Sequence, residues 1–304
     1  KETWANIGRS NPSAPLEPFP DIIHNSGSLN IEKNKIASAW INIKIPRNAK
    51  PGIYNGSIEV TADELEKAYT FDYSFEVLNL VQPLPSETNT QIEFWQHPYT
   101  IARYYKISKE DLFTEKHFKY LKDDLKEYRN MGGRGVIATI VHEAWNHQSY
   151  DSDPSMIKWR KNSYGTFEFD YSHFDKWIQL NIDLGILDPE KGFGQIKCYS
   201  IVPWNNRIQY FNEATNKEEA INPNPGSDLW INIWTQFLTS FMSHLEEKGW
   251  FNITYISMDE RSMDDLKACV DLIESITNKL GEHFKISSAM DYESGNDYSF
   301  LDRI

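Results

Sequence analysis

The sequence predicts an α/β fold: a (β/α)8 TIM-type barrel, which we expect to be incomplete in this chain, preceded by part of a β-sandwich domain. Alternating β-forming residues dominate residues 39–80. From about residue 89, strand-like and helix-like segments alternate at the spacing of βα units, which build parallel sheets. Only about five such strands precede residue 304, whereas a complete barrel takes about 250 residues. An open doubly wound sheet is the structural alternative.

The amino-terminal region follows the two-residue period of β-strands. Proline and glycine punctuate the connection at 46–52, and a charged hairpin connection covers 62–67. Three strands are too few for a complete sandwich, so we assign residues 1–85 to a partial β-sandwich with its linker and expect earlier strands upstream. The predicted strands are 39–45, 54–60 and 69–77.

Residues 86–304 form the second predicted domain, the first five or so βα units of the barrel. Its helices carry apolar residues at helical spacing and begin at capping residues, among them Ser108, Asp170, Ser227 and Ser262. A long loop separates the second strand from the helix that follows Asp170. The predicted strands are 91–95, 135–141, 196–202, 253–258 and 285–290, and the predicted helices with two defined ends are 109–131, 227–248 and 263–280.

Composition narrows the range of ligands. The 304 residues are 40% hydrophobic and 14% aromatic, enough for a packed core. A formal net charge of −13 without a Lys/Arg cluster argues against nucleic acid as a partner. No run approaches the roughly 20 apolar residues of a membrane span, so we predict none. Lys1 is neither an initiator Met nor part of a signal peptide, so the start looks trimmed and the compartment is undetermined.

Residues at the predicted strand ends point to a carbohydrate site, because the loops after barrel strands build the active-site face. Each residue alone could be a helix cap or a core residue, but five consecutive ends carry aromatic, His, amide or carboxylate side chains. The candidates are Trp95 and His97; His142, Glu143 and Trp145; Trp204, Asn205 and Arg207; Asp259 and Glu260; Asp291 and Tyr292.

The sequence gives less support to metal sites, nucleophilic triads and phosphate-binding loops. His97, His142, Glu143 and Asp291 include metal-ligand types, but no HExxH-like spacing joins them. The two cysteines have neither metal-ligand nor disulfide-framework spacing. No Gly-x-Ser-x-Gly elbow and no phosphate-binding glycine loop occurs. We therefore predict no metal and no cofactor.

The adjacent carboxylates Asp259 and Glu260 are the candidate catalytic residues. Neighbours on a regular strand point to opposite faces, so both reach one pocket only if the chain departs from regular strand there. A double-displacement glycosidase needs carboxylates about 5 Å apart on opposite sides of the bond, usually from two strands. Adjacent acids better fit substrate-assisted hydrolysis, in which one orients a 2-acetamido group that attacks the anomeric carbon and the other is the general acid and base.

The run Ile-Ser-Met-Asp-Glu-Arg at 256–261, the run Lys-Pro-Gly-Ile-Tyr-Asn-Gly at 50–56 and the strand ends at Trp95, His142 and Trp204 resemble glycoside hydrolase family 123, a clostridial-type β-N-acetylgalactosaminidase family. The resemblance implies a β-sandwich before a (β/α)8 catalytic domain. It also implies retaining, substrate-assisted removal of terminal β-linked N-acetylgalactosamine from an oligosaccharide or glycolipid. Asp259 would orient the acetamide, and Glu260 would be the general acid and base.

Two alternatives stay open. The chain could be a glycan-binding protein without catalysis. It could also be a double-displacement glycosidase that pairs Asp259 or Glu260 with Glu143 or Asp291. Besides the acid pair, the predicted substrate-binding residues are Trp95, His97, His142, Trp145, Trp204, Asn205, Asp291 and Tyr292.

Overall fold

The computed structural model describes residues 2–5, 17–20, 28–88, 90–290, 300 and 302–304. The chain divides into two compact units, Lys1–Gln82 and Pro83–Ile304. Within the described ranges, no helix is long and apolar enough to cross a membrane.

The first unit contains two antiparallel strand pairs. Strand β1 (Glu2–Ala5) pairs with β2 (Glu17–Pro20), and β3 (Gly52–Val60) pairs with β4 (Tyr69–Val77). Tyr54 lies opposite Phe75, and their stacked rings are 5.7 Å apart at the centroids. Such aromatic cross-strand pairs stabilise a two-stranded sheet. The predicted strands 54–60 and 69–77 are therefore confirmed.

The predicted strand 39–45 is wrong. These residues form no strand, although their sequence alternates as a strand would, and their side chains are exposed. The Trp40 indole bonds locally, to the Asn42 side chain at 3.0 Å. An alternating sequence forms a strand only where another strand can pair with it. In the described part of the first unit, no strand pairs with residues 39–45. The β-sandwich stays a prediction.

The second unit is a mixed α/β structure. Its helices are α1 (Pro98–Tyr104), α2 (Glu115–Asn130), α3 (Ser172–Asp183), α4 (Asp228–Lys248) and α5 (Met263–Ser275). Its strands are β5 (Gly135–Thr139), β6 (Lys158–Lys161), β7 (Phe167–Asp170), β8 (Gln195–Tyr199), β9 (Ile208–Asn212), β10 (Lys217–Ile221), β11 (Thr254–Met258) and β12 (Lys285–Ser288).

Strands β5, β8, β11 and β12 form a parallel sheet in that order. Each strand of this sheet lies beside the member of the sheet that follows it along the chain. The sheet therefore lacks the reversal of order that defines a doubly wound sheet. One face of the sheet is largely apolar and packs against helices: Val136, Ala138, Ile196, Cys198, Ile256 and Met258 are buried there. Mixed α/β structure with a parallel sheet was predicted and is confirmed.

The predicted strand 91–95 shrinks to a single parallel bridge between Ile92 and Gly133. Beyond this bridge, backbone hydrogen-bonding groups at the edge of β5 bond to a side chain instead of to a neighbouring strand. The Gln96 amide accepts a hydrogen bond from Ile137 N at 2.9 Å and donates one to Gly135 O at 3.1 Å. Because the side chain takes the place of ladder bonds, no strand extends through Trp95.

Helix boundaries also differ from prediction at two places. Helix α2 begins at Glu115 instead of residue 109, because buried Phe113 adopts a left-handed φ of 53° that no helix continues through. Helix α5 ends at Ser275, five residues before the predicted end at 280. The caps at Ser227 and Ser262 are confirmed, since their hydroxyls accept from Trp230 N at 3.4 Å and Asp265 N at 3.3 Å.

A second sheet, in the order β10, β9, β6, β7, was not predicted. Strands β6 and β7 lie between β5 and α3, where the sequence indicates a long loop, and β9 and β10 lie between β8 and α4. The sheet packs on α4, where the rings of Trp159 and Phe237 stack at 4.9 Å. Its strands are only four or five residues long, and β6 pairs with β9 from a distant part of the sequence.

Candidate active site

Asp259 and Glu260 directly follow β11, at the carboxyl end of the parallel sheet. The strand ends at Met258 and the chain bends at Glu260, so the predicted departure from regular strand is confirmed. The two carboxylates have different surroundings: Asp259 is only 8% exposed, whereas Glu260 is exposed. One acid is therefore held within the protein and the other is open to solvent.

The Asp259 carboxylate is held by an indole. Trp204 Nε1 donates to Asp259 Oδ2 at 2.6 Å, a short bond to a charged acceptor. The backbone N–H of Trp204 donates to Ala144 O at 3.1 Å, and the side chains of Asn205 and Asn146 bond at 3.1 Å. The loops that follow β5, β8 and β11 therefore meet at this point, as the sequence prediction for strand ends requires.

Three aromatic rings cluster beside these loops. The ring centroids of Trp95 and Trp145 are 4.6 Å apart, and each lies 5.3 Å from Tyr199. Trp95 is 38% exposed, whereas Trp145 is 5% exposed and Tyr199 is buried. Burial, with smaller contributions from Glu93 and Asp259, raises the pKa of the Tyr199 phenol, so this group stays neutral. Trp95 thus offers an aromatic face that the other two rings support.

Glu143 is a buried carboxylate with both oxygens engaged by its own loop. Oε1 accepts from Asp153 N and Oε2 accepts from His147 N, each at 3.1 Å, and His147 Nδ1 lies 3.2 Å from Oε2. Backbone N–H groups are strong donors, and a loop that folds inward must provide acceptors for them. Glu143 therefore holds the loop after β5 together.

The two predicted histidines lie in contrasting environments. His97 Nδ1 is 3.8 Å from Asp153 Oδ1, longer than a hydrogen bond, and the Asp153 carboxylate raises the pKa of His97. For His142, burial lowers the pKa, so this ring is neutral at pH 7. His142 is one of the residues that line a cavity of about 730 Å³ beside the second sheet, with Arg160, Gln209, Phe211 and Glu218 among the others.

Two predicted site residues, Asp291 and Tyr292, lie outside the described residues. Among the described residues, no group of three or more His, Cys, Asp or Glu side chains could hold a metal ion. Cys198 and Cys269 are buried free thiols.

Two family models match the chain. Residues 95–302 match the catalytic domain of glycoside hydrolase 123, and residues 4–62 match the glycoside hydrolase 123 N-terminal domain. The chain belongs to glycoside hydrolase family 123. The family predicted from the sequence is thereby confirmed.

One solved structure similar to this family 123 chain is described as a family 123 glycoside hydrolase from Clostridium perfringens, studied for the details of glycolipid glycan hydrolysis. It is 96% identical in sequence, with a TM-score of 0.92. The match covers 100% of this chain and 52% of that one, so the chain spans about half of the solved protein's length. No curated protein sequence matches significantly.

The sequence prediction for this family 123 site missed Tyr199 and gave no role to Arg261. Tyr199 is the last residue of β8, but the predicted strand continued to residue 202 and placed it mid-strand. A bulky aromatic followed by Ser-Ile-Val-Pro was a usable signal for an earlier strand end. Arg261 lies beside the acid pair, but its contacts depend on a loop 55 to 58 residues earlier in the chain.

Proposed function

We propose that this family 123 chain carries the acid pair of a retaining β-N-acetylgalactosaminidase that removes terminal β-linked N-acetylgalactosamine from glycans or glycolipids. The observation that carries the proposal is the unequal setting of adjacent carboxylates at one strand end: Asp259 is buried and hydrogen-bonded, and Glu260 is exposed. The choice of N-acetylgalactosamine rests on the family resemblance. The glycolipid substrate is carried over from the description of the similar Clostridium perfringens protein.

In the first step of the proposed reaction, the carbonyl oxygen of the 2-acetamido group attacks the anomeric carbon. The bond from that carbon to the leaving oxygen breaks, and Glu260 gives its proton to that oxygen. The acetamide becomes an oxazoline with positive charge on nitrogen. Asp259 accepts a hydrogen bond from this N–H, and its negative charge stabilises the charge that develops there.

In the second step, Glu260 as carboxylate takes a proton from water, whose oxygen attacks the anomeric carbon and opens the oxazoline. Two inversions give net retention of the β-configuration. Glu143 is a poor second carboxylate for a double displacement, since both its oxygens accept backbone N–H groups. That engagement supports the substrate-assisted scheme over the double-displacement alternative.

We assign the sugar-binding roles by exposure. Trp95 is the proposed stacking face for the sugar, with Trp145 as its support, and Asn205 and His97 are proposed polar contacts at the rim. His142, neutral at pH 7, is proposed to contact the substrate from the loop after β5. Trp204 is proposed to contact the sugar with its ring while its N–H holds Asp259. Asp291 and Tyr292 remain proposed substrate contacts on grounds of sequence.

We also propose that the parallel sheet is the first part of a (β/α)8 barrel over residues 86–304, with residues 1–85 as part of a β-sandwich and linker. The consecutive order of β5, β8, β11 and β12 supports the barrel, because barrel strands follow each other around the ring. The placement of the acid pair at the carboxyl end of β11 agrees with the active-site face of such barrels.

The decisive experiment follows the first product formed by the complete protein from an aryl β-N-acetylgalactosaminide by proton NMR. We expect β-N-acetylgalactosamine before it mutarotates, and no product from the matching β-galactoside, which lacks the acetamide. Sugar binding without any product would establish the glycan-binding alternative. Equal cleavage of both substrates, with no binding of a thiazoline inhibitor, would establish double displacement.

Glu143→Gln separates a structural role for Glu143 from a nucleophilic one. We expect turnover close to wild type, because no step passes through this residue. A glutamine has one oxygen and one NH₂ group, so one of the two backbone N–H groups would face a donor instead of an acceptor. The free energy of unfolding should therefore fall by about 1–3 kcal/mol. Urea unfolding measures the fall, with Glu247→Gln on the exposed surface of α4 as the control. Loss of turnover in a folded Glu143→Gln protein would instead identify a nucleophile.

Trp95→Ala tests the proposed stacking face. Aromatic contacts contribute about 0.5–1.5 kcal/mol beyond area burial, so KM for the aryl β-N-acetylgalactosaminide should rise roughly 3- to 10-fold with a smaller change in kcat. Initial-rate kinetics measure both constants. Tyr164→Ala, at the exposed turn between β6 and β7, is the matched aromatic deletion and should leave KM unchanged. An unaltered KM in Trp95→Ala would remove Trp95 from the sugar site.

A further inference from the structure

Arg261 follows the acid pair and makes a dense set of contacts for a residue at a loop. Its side chain is 10% exposed. Nη1 donates to Pro203 O at 2.6 Å, and Nη2 donates to Asn206 Oδ1 at 2.9 Å. Nη2 also donates to Asp265 Oδ2 at 2.9 Å, in the first turn of α5. The guanidinium carbon lies 5.8 Å from the centre of the Trp204 ring.

Two of these contacts lie on either side of Trp204 in the sequence. Pro203 and Asn206 are the ends of a tight turn, in which Asn206 N donates to Pro203 O at 2.8 Å and Asn206 has a left-handed φ of 54°. Arg261 therefore bonds both ends of the turn that presents Trp204. The same indole donates to Asp259, only two residues before Arg261 in the chain.

We infer that Arg261 is a positioning residue for catalysis: it fixes the 203–206 turn so that the Trp204 N–H holds Asp259 Oδ2 and leaves Oδ1 for the substrate N–H. The catalytic part of this inference rests on the proposed function. Its physical basis is that an orienting carboxylate acts only when its oxygen lies at hydrogen-bond distance in the reacting geometry.

The planar fork of arginine is what this position requires. The three acceptors Pro203 O, Asn206 Oδ1 and Asp265 Oδ2 are reached by N–H groups in one plane, while the guanidinium carbon lies over the Trp204 ring. A lysine keeps the charge, but its three donors share one nitrogen on a flexible stem and lack the fixed spread of the arginine fork. With these donors engaged in the protein, Arg261 is better suited to hold a neighbour than to bind substrate itself.

The test is Arg261→Lys in the complete protein, compared with Arg303→Lys. Arg303 is the matched control, since it forms ion pairs with Asp271 and Glu274 on the same helix α5. We expect Arg261→Lys to lower kcat on the acetamido substrate by about 10- to 100-fold with little change in KM, because small misplacements at a reacting centre have effects of this order. Arg303→Lys should leave both constants unchanged.

A double-mutant cycle tells positioning from general weakening. If Arg261 acts through Asp259, Arg261→Lys should change kcat by less than about 2-fold once Asp259 is already Asn, because coupled residues are not additive. Equal losses in both backgrounds would overturn the inference, and so would an unchanged kcat in the single variant.

A measurement independent of turnover completes the test. Indole N–H signals of ¹⁵N-labelled tryptophan report hydrogen bonding, and the signal lost in Trp204→Phe identifies the one of interest. Arg261→Lys and Asp259→Asn should both move that signal upfield, and Arg303→Lys should not. An unmoved signal in Arg261→Lys would refute the positioning role. If the wild-type protein gives no product, the proposed function fails while this signal still decides the role of Arg261.

Discussion

Glu260→Gln should nearly abolish turnover of substrates with poor leaving groups. General acid–base catalysis contributes about 10²- to 10⁴-fold, and Glu260 is proposed to act in both steps. A glutamine has the same shape but can neither give a proton to the leaving oxygen nor take one from water. Glu260 is exposed at the bend after β11, so the substitution should leave the stability unchanged. Initial rates on an oligosaccharide and on a dinitrophenyl glycoside measure the effect.

The two substrates should respond differently to Glu260→Gln. Dinitrophenolate leaves without protonation, so the first step on that glycoside should survive and the oxazoline should accumulate or open slowly. Added azide should then restore turnover and give a β-glycosyl azide, because an anionic nucleophile needs no base. Glu247→Gln is the control for a surface Glu-to-Gln change. Equal residual rates on both substrates would mean that Glu260 is not the proton donor.

The sequence was most informative about this site where the signal is local. An apolar run followed by two acids and a capping serine predicts a strand end, and β11 ends at Met258 with Ser262 capping α5. Likewise, Tyr54 and Phe75 lie in alternating runs that do pair. In each case the residues that decide the structure are neighbours in sequence or across one hairpin.

Other features that escaped prediction depend on distant partners. Residues 39–45 alternate as a strand does but have no strand to pair with among the described residues. The edge of β5 is bonded by the Gln96 side chain, which no hydrophobic pattern reveals. The Trp204 contact to Asp259 joins two loops 55 residues apart. Chain topology brings such groups together, and a single sequence contains no local signal for that.

Asp259→Asn should lower kcat on the acetamido substrate by about 10²- to 10³-fold, the order seen when one preorganised polar group of a reacting centre is lost. The reason lies in the Trp204 contact. An aspartate has two acceptor oxygens, one for the Trp204 N–H and one for the substrate N–H. An asparagine has one oxygen, and if it stays with Trp204 its NH₂ group meets the substrate N–H donor to donor. The variant also lacks the negative charge that opposes the charge developing on nitrogen.

The loss in Asp259→Asn should therefore depend on the acetamide. A thiazoline inhibitor, which places a ring nitrogen where the acetamide nitrogen lies, should bind the variant more weakly in calorimetry. Asp264→Asn, an exposed acid in the first turn of α5, is the matched control and should bind as the wild type does. Undiminished inhibitor binding together with lost turnover would make Asp259 a general acid instead of the orienting group. The roles of the two adjacent carboxylates would then be exchanged, and Trp204 would hold the proton donor.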